Sequence, residues 1–224
     1  MTELADRIAR LQQRIRDACD QAGRSDREVE LLPVSKRQPV ERLREALALG
    51  FPRFGENYVQ EGSAKAQALP AARFQLIGPL QRNKAKPALE HFEQIMTLDR
   101  PDLVDRLRRL AEEADLVRPI WIQLELWDEA SKLGGCSEPE LPALLEALAA
   151  DPRLPLQGFM AIPPPGADQA FKELAVIRSR WEDRLGKKLR LSMGMSGDLE
   201  AAIAAGSDQV RIGTDFFGER TVRS

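Results

Sequence analysis

Two glycine-rich segments near the end of the sequence have the composition of an anion-binding site. The first, GMSG at 194–197, follows a predicted strand over 189–193 and precedes a helix that Asp198 opens. The second, GT at 213–214, follows a predicted strand over 209–212. Small residues at such junctions leave backbone N–H groups exposed, and these groups attract phosphate. Together the segments predict one phosphate site, although tight turns would explain each glycine alone.

A lysine near the start of the sequence offers a reactive amine. Lys36 ends the apolar run LLPVS at 31–35, and Pro39 then opens a helix. Burying an ammonium group is costly, and a desolvated lysine is the usual nucleophile in Schiff-base chemistry. The alternative for a lone lysine is that its amine extends into solvent. The predicted phosphate site favours the reactive role.

Pyridoxal 5′-phosphate combines an aldehyde for Lys36 with a phosphate for the glycine-rich segments. Arg211 lies two residues before Gly213, so strand alternation places both on one side. If that side faces the interior, the Arg211 guanidinium would reach the pyridine nitrogen. Arginine cannot accept a proton and would leave this nitrogen unprotonated, so the ring would be a weak electron sink. A buried ion pair between Arg211 and Glu56 is the alternative.

The elements that must position these residues alternate between strands and helices. Predicted strands occupy 31–36, 53–56, 74–78, 94–98, 119–126, 156–162, 189–193 and 209–212. Predicted helices occupy about 2–22, 40–49, 59–69, from 83 onward, 101–114, 139–150, 167–185 and 198–205. This α/β pattern predicts one domain over 1–224, a (β/α)8 TIM barrel over about 30–218 with an extra N-terminal helix. An open doubly wound sheet is the alternative. In TIM barrels the loops after strands 7 and 8 commonly hold phosphate.

Composition narrows the class of partner. The 33 basic and 35 acidic residues nearly cancel, which argues against binding to nucleic acid or an anionic membrane. Cys19, Cys136 and His91 are too far apart in sequence to predict a metal site, and Cys19 falls on the apolar face of the first helix. No signal peptide or membrane-length apolar run is evident, so we expect a cytoplasmic protein.

Six motifs in order resemble those of the pyridoxal phosphate homeostasis proteins, whose barrel is similar to the N-terminal domain of alanine racemase. They are LLPVSK ending at Lys36, FGENYVQE at 54–61, FQLIGPLQRNK at 74–84, GFMAIP at 158–163, SMGMSGDLEAAIAAG at 192–206 and VRIGTDFFG at 210–218. The resemblance implies that Lys36 forms an internal aldimine with the coenzyme. It also implies coenzyme contacts from Asn57, Met193, Met195, Ser196, Arg211, Gly213 and Thr214.

The resemblance further implies a carrier or buffer in vitamin B6 balance, without established catalysis. Enzymes that depend on pyridoxal phosphate are then candidate recipients of the coenzyme. A monomer is expected, because the sequence lacks the second domain of a racemase dimer. One departure is Glu125, where the family usually has Asn. This carboxylate either points into the barrel or pairs with Lys132.

Two enzyme classes remain as alternatives. An amino-acid racemase, or a related enzyme with this barrel, needs a second acid/base opposite the lysine. Tyr58 follows Asn57 and would face away from it, whereas His91 resembles a surface residue. A class I aldolase would use Lys36 on a substrate carbonyl, but its lysine would more naturally lie on a later strand.

Lys65 is expected on a solvated helix face.

Overall fold

The protein is described here by a computed structural model, which covers residues 2–126, 134–149 and 151–219. The strands in these residues are β1 Glu30–Pro33, β2 Arg53–Glu56, β3 Arg73–Leu76, β4 Gln94–Leu98, β5 Ile120–Gln123, β6 Leu156–Met160, β7 Arg190–Ser192 and β8 Gln209–Ile212. The helices are α1 Glu3–Gln21, α2 Val40–Ala48, α3 Val59–Ala68, α4 Ala85–His91, α5 Pro101–Glu113, α6 Leu141–Ala149, α7 Asp168–Leu185, α8 Leu199–Ala204 and α9 Thr214–Phe217. Short 3-10 helices occupy Asp26–Glu28, Arg82–Lys84 and Glu138–Glu140.

The strands form one parallel sheet that curves into a nearly closed barrel. Its order is β1-β8-β7-β6-β5-β4-β3-β2, so each strand from β2 to β8 pairs with its neighbour in sequence. The two ends meet through a parallel bridge between Val34 and Gly55, and the Ser35 amide donates to the Gly55 carbonyl at 2.9 Å. The (β/α)8 barrel is therefore confirmed. The open doubly wound alternative is wrong, because its strand order would reverse at a switch point.

Side chains alternate between the barrel interior and the layer under the helices. An apolar cluster of five residues fills the interior: Leu32, Val34, Ile77, Met96 and Trp121. Polar side chains share this interior, and the Gln209 amide donates to the Gln75 amide oxygen at 3.0 Å from another strand. The larger apolar cluster lies outside the strands and includes Phe54, Phe74 and Phe159. The barrel is thus a packed core with its openings at the strand ends.

Helix α1 braces the last two helices of the barrel. Its apolar stripe, with Leu4, Leu11 and Cys19, is buried as its spacing predicts. On the same helix, the Arg14 guanidinium contacts the Glu200 carboxylate in α8 at 2.5 and 2.8 Å, and the Asp215 carboxylate in α9 at 3.2 Å. Because α8 and α9 follow the two glycine-rich segments, α1 supports the region that presents those segments.

The structure differs from the predicted elements mainly at their ends. Strand β1 ends at Pro33, so Lys36 lies in the following loop, and β5 ends at Gln123. The first turn of the predicted helix from 83 onward is a 3-10 turn, and α4 begins at Ala85. The four-residue helix α9 is not predicted, because so short an element has no periodic pattern.

Across the described residues, none of the helices combines the length and apolarity that a membrane span requires.

Candidate functional site

One cavity at the carboxyl ends of the strands brings together six of the eight predicted site residues. Its volume is about 250 Å³. It is lined by Val34, Lys36, Gln38, Met195, Ser196, Gly197, Arg211, Gly213, Thr214 and Gly218. Strand β1 pairs with β8, and Leu32 lies opposite Arg211 in that register. This pairing places the loop after β1 beside the loop after β8, so residues from both ends of the sequence meet.

Lys36 reaches the cavity from the turn that follows β1. Leu32 and Val34 both belong to the interior cluster, and the turn begins directly after them. Lys36 is half-buried, and Val34 lines the cavity next to it. The structure therefore places Lys36 in the cavity wall, in the turn after the first strand.

The opposite wall is formed by four residues that we call the anion cup: Ser196, Gly197, Gly213 and Thr214. Within the described chain, their backbone N–H groups donate to no protein acceptor, and the two hydroxyls form no hydrogen bond. The turn before the cup requires glycine at 194. Its φ is +97°, and a Cβ there would lie 2.6 Å from the Ala202 side chain. Several bare donors converging on one cavity suit a phosphate group.

Arg211 is a buried cation in the cavity wall. Its guanidinium donates to the Ser192 hydroxyl at 2.9 Å and to the Ala161 carbonyl at 2.8 Å. Burial lowers the pKa of Arg211 to about 10, an effect that the charge of Asp198 opposes. The guanidinium is therefore still protonated at neutral pH. The alternative ion pair with Glu56 is not formed, and no carboxylate of the described residues lies within 4.0 Å of it.

Two predicted site residues do not line this cavity. Asn57 follows β2, two residues after Gly55, whose Cα faces the interior Leu32 and Ile77 side chains. The Asn57 side-chain oxygen is buried and has no partner among the described residues. Met193 is fully buried in the apolar layer outside the strands, whereas Met195, which is 36% exposed, lines the cavity. This placement supports the coenzyme contact for Met195 and not for Met193.

The candidate acid/base residues lie elsewhere. Tyr58 is half exposed at the start of α3, and His91 is the last residue of α4. Glu125 lines a different cavity, together with residues of α7, and Lys132 lies outside the described residues. Lys36 and Arg211 are the ionisable side chains in the lining of the site cavity, as far as the described residues show. The described residues also contain no group of three or more potential metal ligands.

A buried ionic cluster, which we call the α3 cluster, lies behind Lys36. It consists of Glu56, Glu61 and Lys65. The Lys65 ammonium is 2.6 Å from a Glu56 oxygen and 2.7 Å from a Glu61 oxygen. Lys65 is only 5% exposed, so the prediction of a solvated lysine is wrong. The spacing of Glu61 and Lys65, four residues apart on a helix, was the available sequence signal.

The α3 cluster contains the most deeply buried carboxylate of the region. The Glu56 side chain is fully buried and accepts from the Ser35 hydroxyl at 2.7 Å. Burial raises the pKa of Glu56 above its ordinary value, while the Lys65 ammonium and the Ser35 hydroxyl oppose that shift. The Lys65 ammonium is therefore the nearest charge that limits the rise in the Glu56 pKa.

Comparisons with known proteins agree with the geometry. Residues 7–221 match the family model described as alanine racemase, N-terminal domain. The chain is 43% identical to the pyridoxal phosphate homeostasis protein of Pseudomonas aeruginosa, over 98% of this chain and 97% of that protein. The structure of PipY from Synechococcus elongatus with PLP bound is 33% identical, with a TM-score of 0.85, over 96% of this chain and 100% of that chain.

A more distant likeness concerns the fold. Alanine racemase from Clostridium difficile superimposes with a TM-score of 0.74 at 11% identity. The match covers 94% of this chain and 56% of the racemase. It shows that the two proteins share the barrel architecture.

We expect Lys65→Met to lower the free energy of unfolding by about 3–5 kcal/mol at pH 7, because it leaves Glu56 buried without its cation. A raised Glu56 pKa means that the folded state binds the proton more tightly than the unfolded state. Stability should then fall as pH rises from the ordinary Glu range through the folded pKa. The deficit should therefore be smaller at pH 5 than at pH 7 in urea unfolding. Glu56→Gln combined with Lys65→Met should recover part of it, and a pH-independent deficit would contradict this account.

Proposed function

This chain belongs to the pyridoxal phosphate homeostasis proteins, and from that membership we propose that it holds pyridoxal 5′-phosphate reversibly as a Schiff base on Lys36. One observation carries the proposal. The Lys36 amine, the Arg211 guanidinium and the anion cup all face a single cavity of about 250 Å³. Each of these groups fits a different part of the coenzyme, namely its aldehyde, its ring nitrogen and its phosphate.

The covalent step uses the neutral amine of Lys36. Its nitrogen attacks the aldehyde carbon of the coenzyme, a carbon–nitrogen bond forms, and the aldehyde oxygen leaves as water. Hydrolysis reverses the same step and returns free coenzyme and free amine. Because no atom is lost in the cycle, the protein can take up and release the coenzyme repeatedly, as a buffer or carrier would.

The anion cup provides the non-covalent part of binding. Bare backbone N–H groups and two hydroxyls can donate to phosphate oxygens, and hydrogen bonds to charged groups are stronger than neutral ones. The buried Arg211 cation adds positive potential to the cavity. The phosphate would therefore remain bound while the Schiff base forms and hydrolyses.

We also propose that binding is not coupled to catalysis. Bound pyridoxal phosphate stabilises carbanions best when its ring nitrogen is protonated, and Arg211 has no proton-accepting site to hold that proton. Racemisation further needs a second acid/base on the face opposite the lysine. In the described part of the chain, the cavity lining contains no carboxylate, histidine, cysteine or tyrosine. Enzymes that depend on the coenzyme are the proposed recipients.

We expect the protein mixed with pyridoxal phosphate to be yellow, and Lys36→Ala to lose the visible absorbance band. The variant should keep weaker, non-covalent binding, because the anion cup is unchanged. Absorbance spectra before and after borohydride reduction measure the covalent part, and equilibrium dialysis measures the total. Lys172→Ala, at an exposed lysine of α7, is the matched control. A band of full intensity in Lys36→Ala would refute the assignment.

The cup variants Ser196→Ala and Thr214→Val should show the opposite pattern. We expect the band to form at saturation but the coenzyme to dissociate about tenfold more readily, since a hydrogen bond to a charged group contributes about 1.5–3 kcal/mol. Dialysis against buffer measures the retention. Ser25→Ala removes an exposed hydroxyl at the 3-10 helix Asp26–Glu28 and serves as the control. Retention equal to that of the control would argue against phosphate binding in the cup.

The loaded protein should not interconvert alanine enantiomers at ordinary enzyme rates. We expect turnover well below about one per second, the lower end for typical enzymes. Incubation with each enantiomer, followed by chiral chromatography, provides the measurement. A known racemase with the same coenzyme load is the positive control. Turnover at or above that rate would make the protein an enzyme and overturn the proposal of a carrier.

A further inference from the structure

The two residues on either side of Lys36 are both held by the α3 cluster. On the preceding side, the Ser35 carbonyl accepts a hydrogen bond from the Lys65 ammonium at 2.6 Å. On the following side, the Arg37 amide donates to a Glu61 carboxylate oxygen at 2.5 Å. The same Glu61 oxygen is 2.7 Å from the Lys65 nitrogen. The Glu61–Lys65 ion pair on α3 thus forms hydrogen bonds with the backbone on both sides of Lys36.

The backbone around Lys36 has an unfavourable conformation at Arg37. Residues Ser35 to Gln38 form a turn in which the Gln38 amide donates to the Ser35 carbonyl at 3.0 Å. Lys36 is the second residue of this turn, and Arg37 is the third, with φ of +60°. Glycine is usual where a turn needs positive φ at its third position. A non-glycine residue keeps this conformation when surrounding contacts enforce it, and the Glu61 hydrogen bond is such a contact.

Burial makes the α3 cluster a costly way to stabilise the fold. The side chains of Lys65, Glu56 and Glu61 are 6%, 0% and 26% exposed. A buried ion pair contributes little net stability, because desolvation offsets the attraction, and apolar residues of similar size often serve as well. Apolar residues could not bind the Ser35 carbonyl or the Arg37 amide. The cluster is therefore better explained by its contacts around Lys36 than by the stability it provides.

We propose that Glu61, oriented by Lys65, is a positioning residue for Lys36. It holds the turn from Ser35 to Gln38 in the conformation that directs the Lys36 amine into the cavity. Glu61 therefore favours formation of the carbon–nitrogen bond without contacting the coenzyme, while the anion cup binds phosphate independently of it. This inference rests on the proposed Schiff base at Lys36 and adds the residues that make that lysine effective.

The test compares two ligands that differ at the reacting carbon. Pyridoxal phosphate can form the Schiff base, whereas pyridoxine 5′-phosphate has the same ring and phosphate but an alcohol in place of the aldehyde. We expect Glu61→Ala to weaken pyridoxal phosphate binding at least tenfold, measured by the visible band. Its affinity for pyridoxine 5′-phosphate, measured by calorimetry, should stay within twofold of the wild type. The pair between Glu56 and Lys65 remains in this variant.

Two further variants separate positioning from a general effect on the fold. Glu61→Gln retains a side-chain oxygen that can accept from the Arg37 amide, so it should recover most of the band-forming affinity. Glu90→Ala removes an exposed carboxylate on the neighbouring helix α4 and should match the wild type for both ligands. Equal weakening of both ligands by Glu61→Ala, or no weakening, would overturn the positioning role. A wild-type protein that forms no band would instead contradict the proposed function.

If Glu61→Ala is unstable, hydrogen exchange in the wild-type protein provides a second test of the contact between Glu61 and the Arg37 amide. The Arg37 amide should exchange its hydrogen at least tenfold more slowly than an unprotected amide in hydrogen-exchange NMR, because Glu61 accepts it. The exposed, unpaired peptide of a free loop exchanges at the unprotected rate. Unprotected exchange at Arg37 would show that the Arg37–Glu61 hydrogen bond is not formed in solution, and the positioning role would be refuted.

Discussion

The site depends on the closure of the barrel between β1 and β2. Strand β1 pairs with β8 along its length. In the described residues its continuation reaches β2 through the Val34–Gly55 bridge and through hydrogen bonds of Ser35 to Gly55 and to Glu56. Gly55 lies at this junction, and a Cβ there would lie 2.9 Å from Ile77 Cδ1 and 3.2 Å from Leu32 Cδ2, so the ends of these side chains would have to shift. Closure brings the loop after β1 against α3 on one side and the anion cup on the other. A sheet that remained open here would separate Lys36 from the residues that hold it.

The protein solves the problem of buried cations in two ways. Lys65 forms ion pairs with two carboxylates, those of Glu56 and Glu61. Arg211 instead donates to a hydroxyl and a carbonyl, and within the described residues no carboxylate lies within 4.0 Å of it. A buried charge without a counterion raises the electrostatic potential of its surroundings, since the interior screens it poorly. Arg211 therefore leaves a positive potential in the cavity that favours an anionic ligand. In the adjacent α3 cluster, the Lys65 charge is already paired with carboxylates.

The fold and the strand-end residues follow local patterns in the sequence and could be predicted. The surroundings of individual buried side chains depend on long-range contacts and could not. The alternation of strands and helices was enough to predict the barrel, because parallel strands require helical crossovers. Strand-end position was enough to place Lys36 and Arg211 together. The family resemblance implied a coenzyme contact for Met193, but its side chain lies in the apolar layer outside the strands. The helix pattern assigned Lys65 to solvent, because its partner Glu56 lies on another element and the contact with Ser35 has no sequence signature.

The relation to alanine racemase separates what the barrel provides from what catalysis requires. Two proteins with 11% identity and a TM-score of 0.74 share an architecture, and an architecture does not determine a reaction. In the described residues, the barrel places Lys36 in the turn after β1 and N–H groups without a protein acceptor after β7 and β8, and the proposed binding of an aldehyde phosphate uses these groups. Moving a proton between two faces of a substrate needs a second titratable group at the cavity. Lys36 and Arg211 are the ionisable side chains in the described lining, and Arg211 is still protonated at neutral pH. A second proton-transfer group at the cavity is therefore a requirement of racemisation that the shared architecture does not supply by itself.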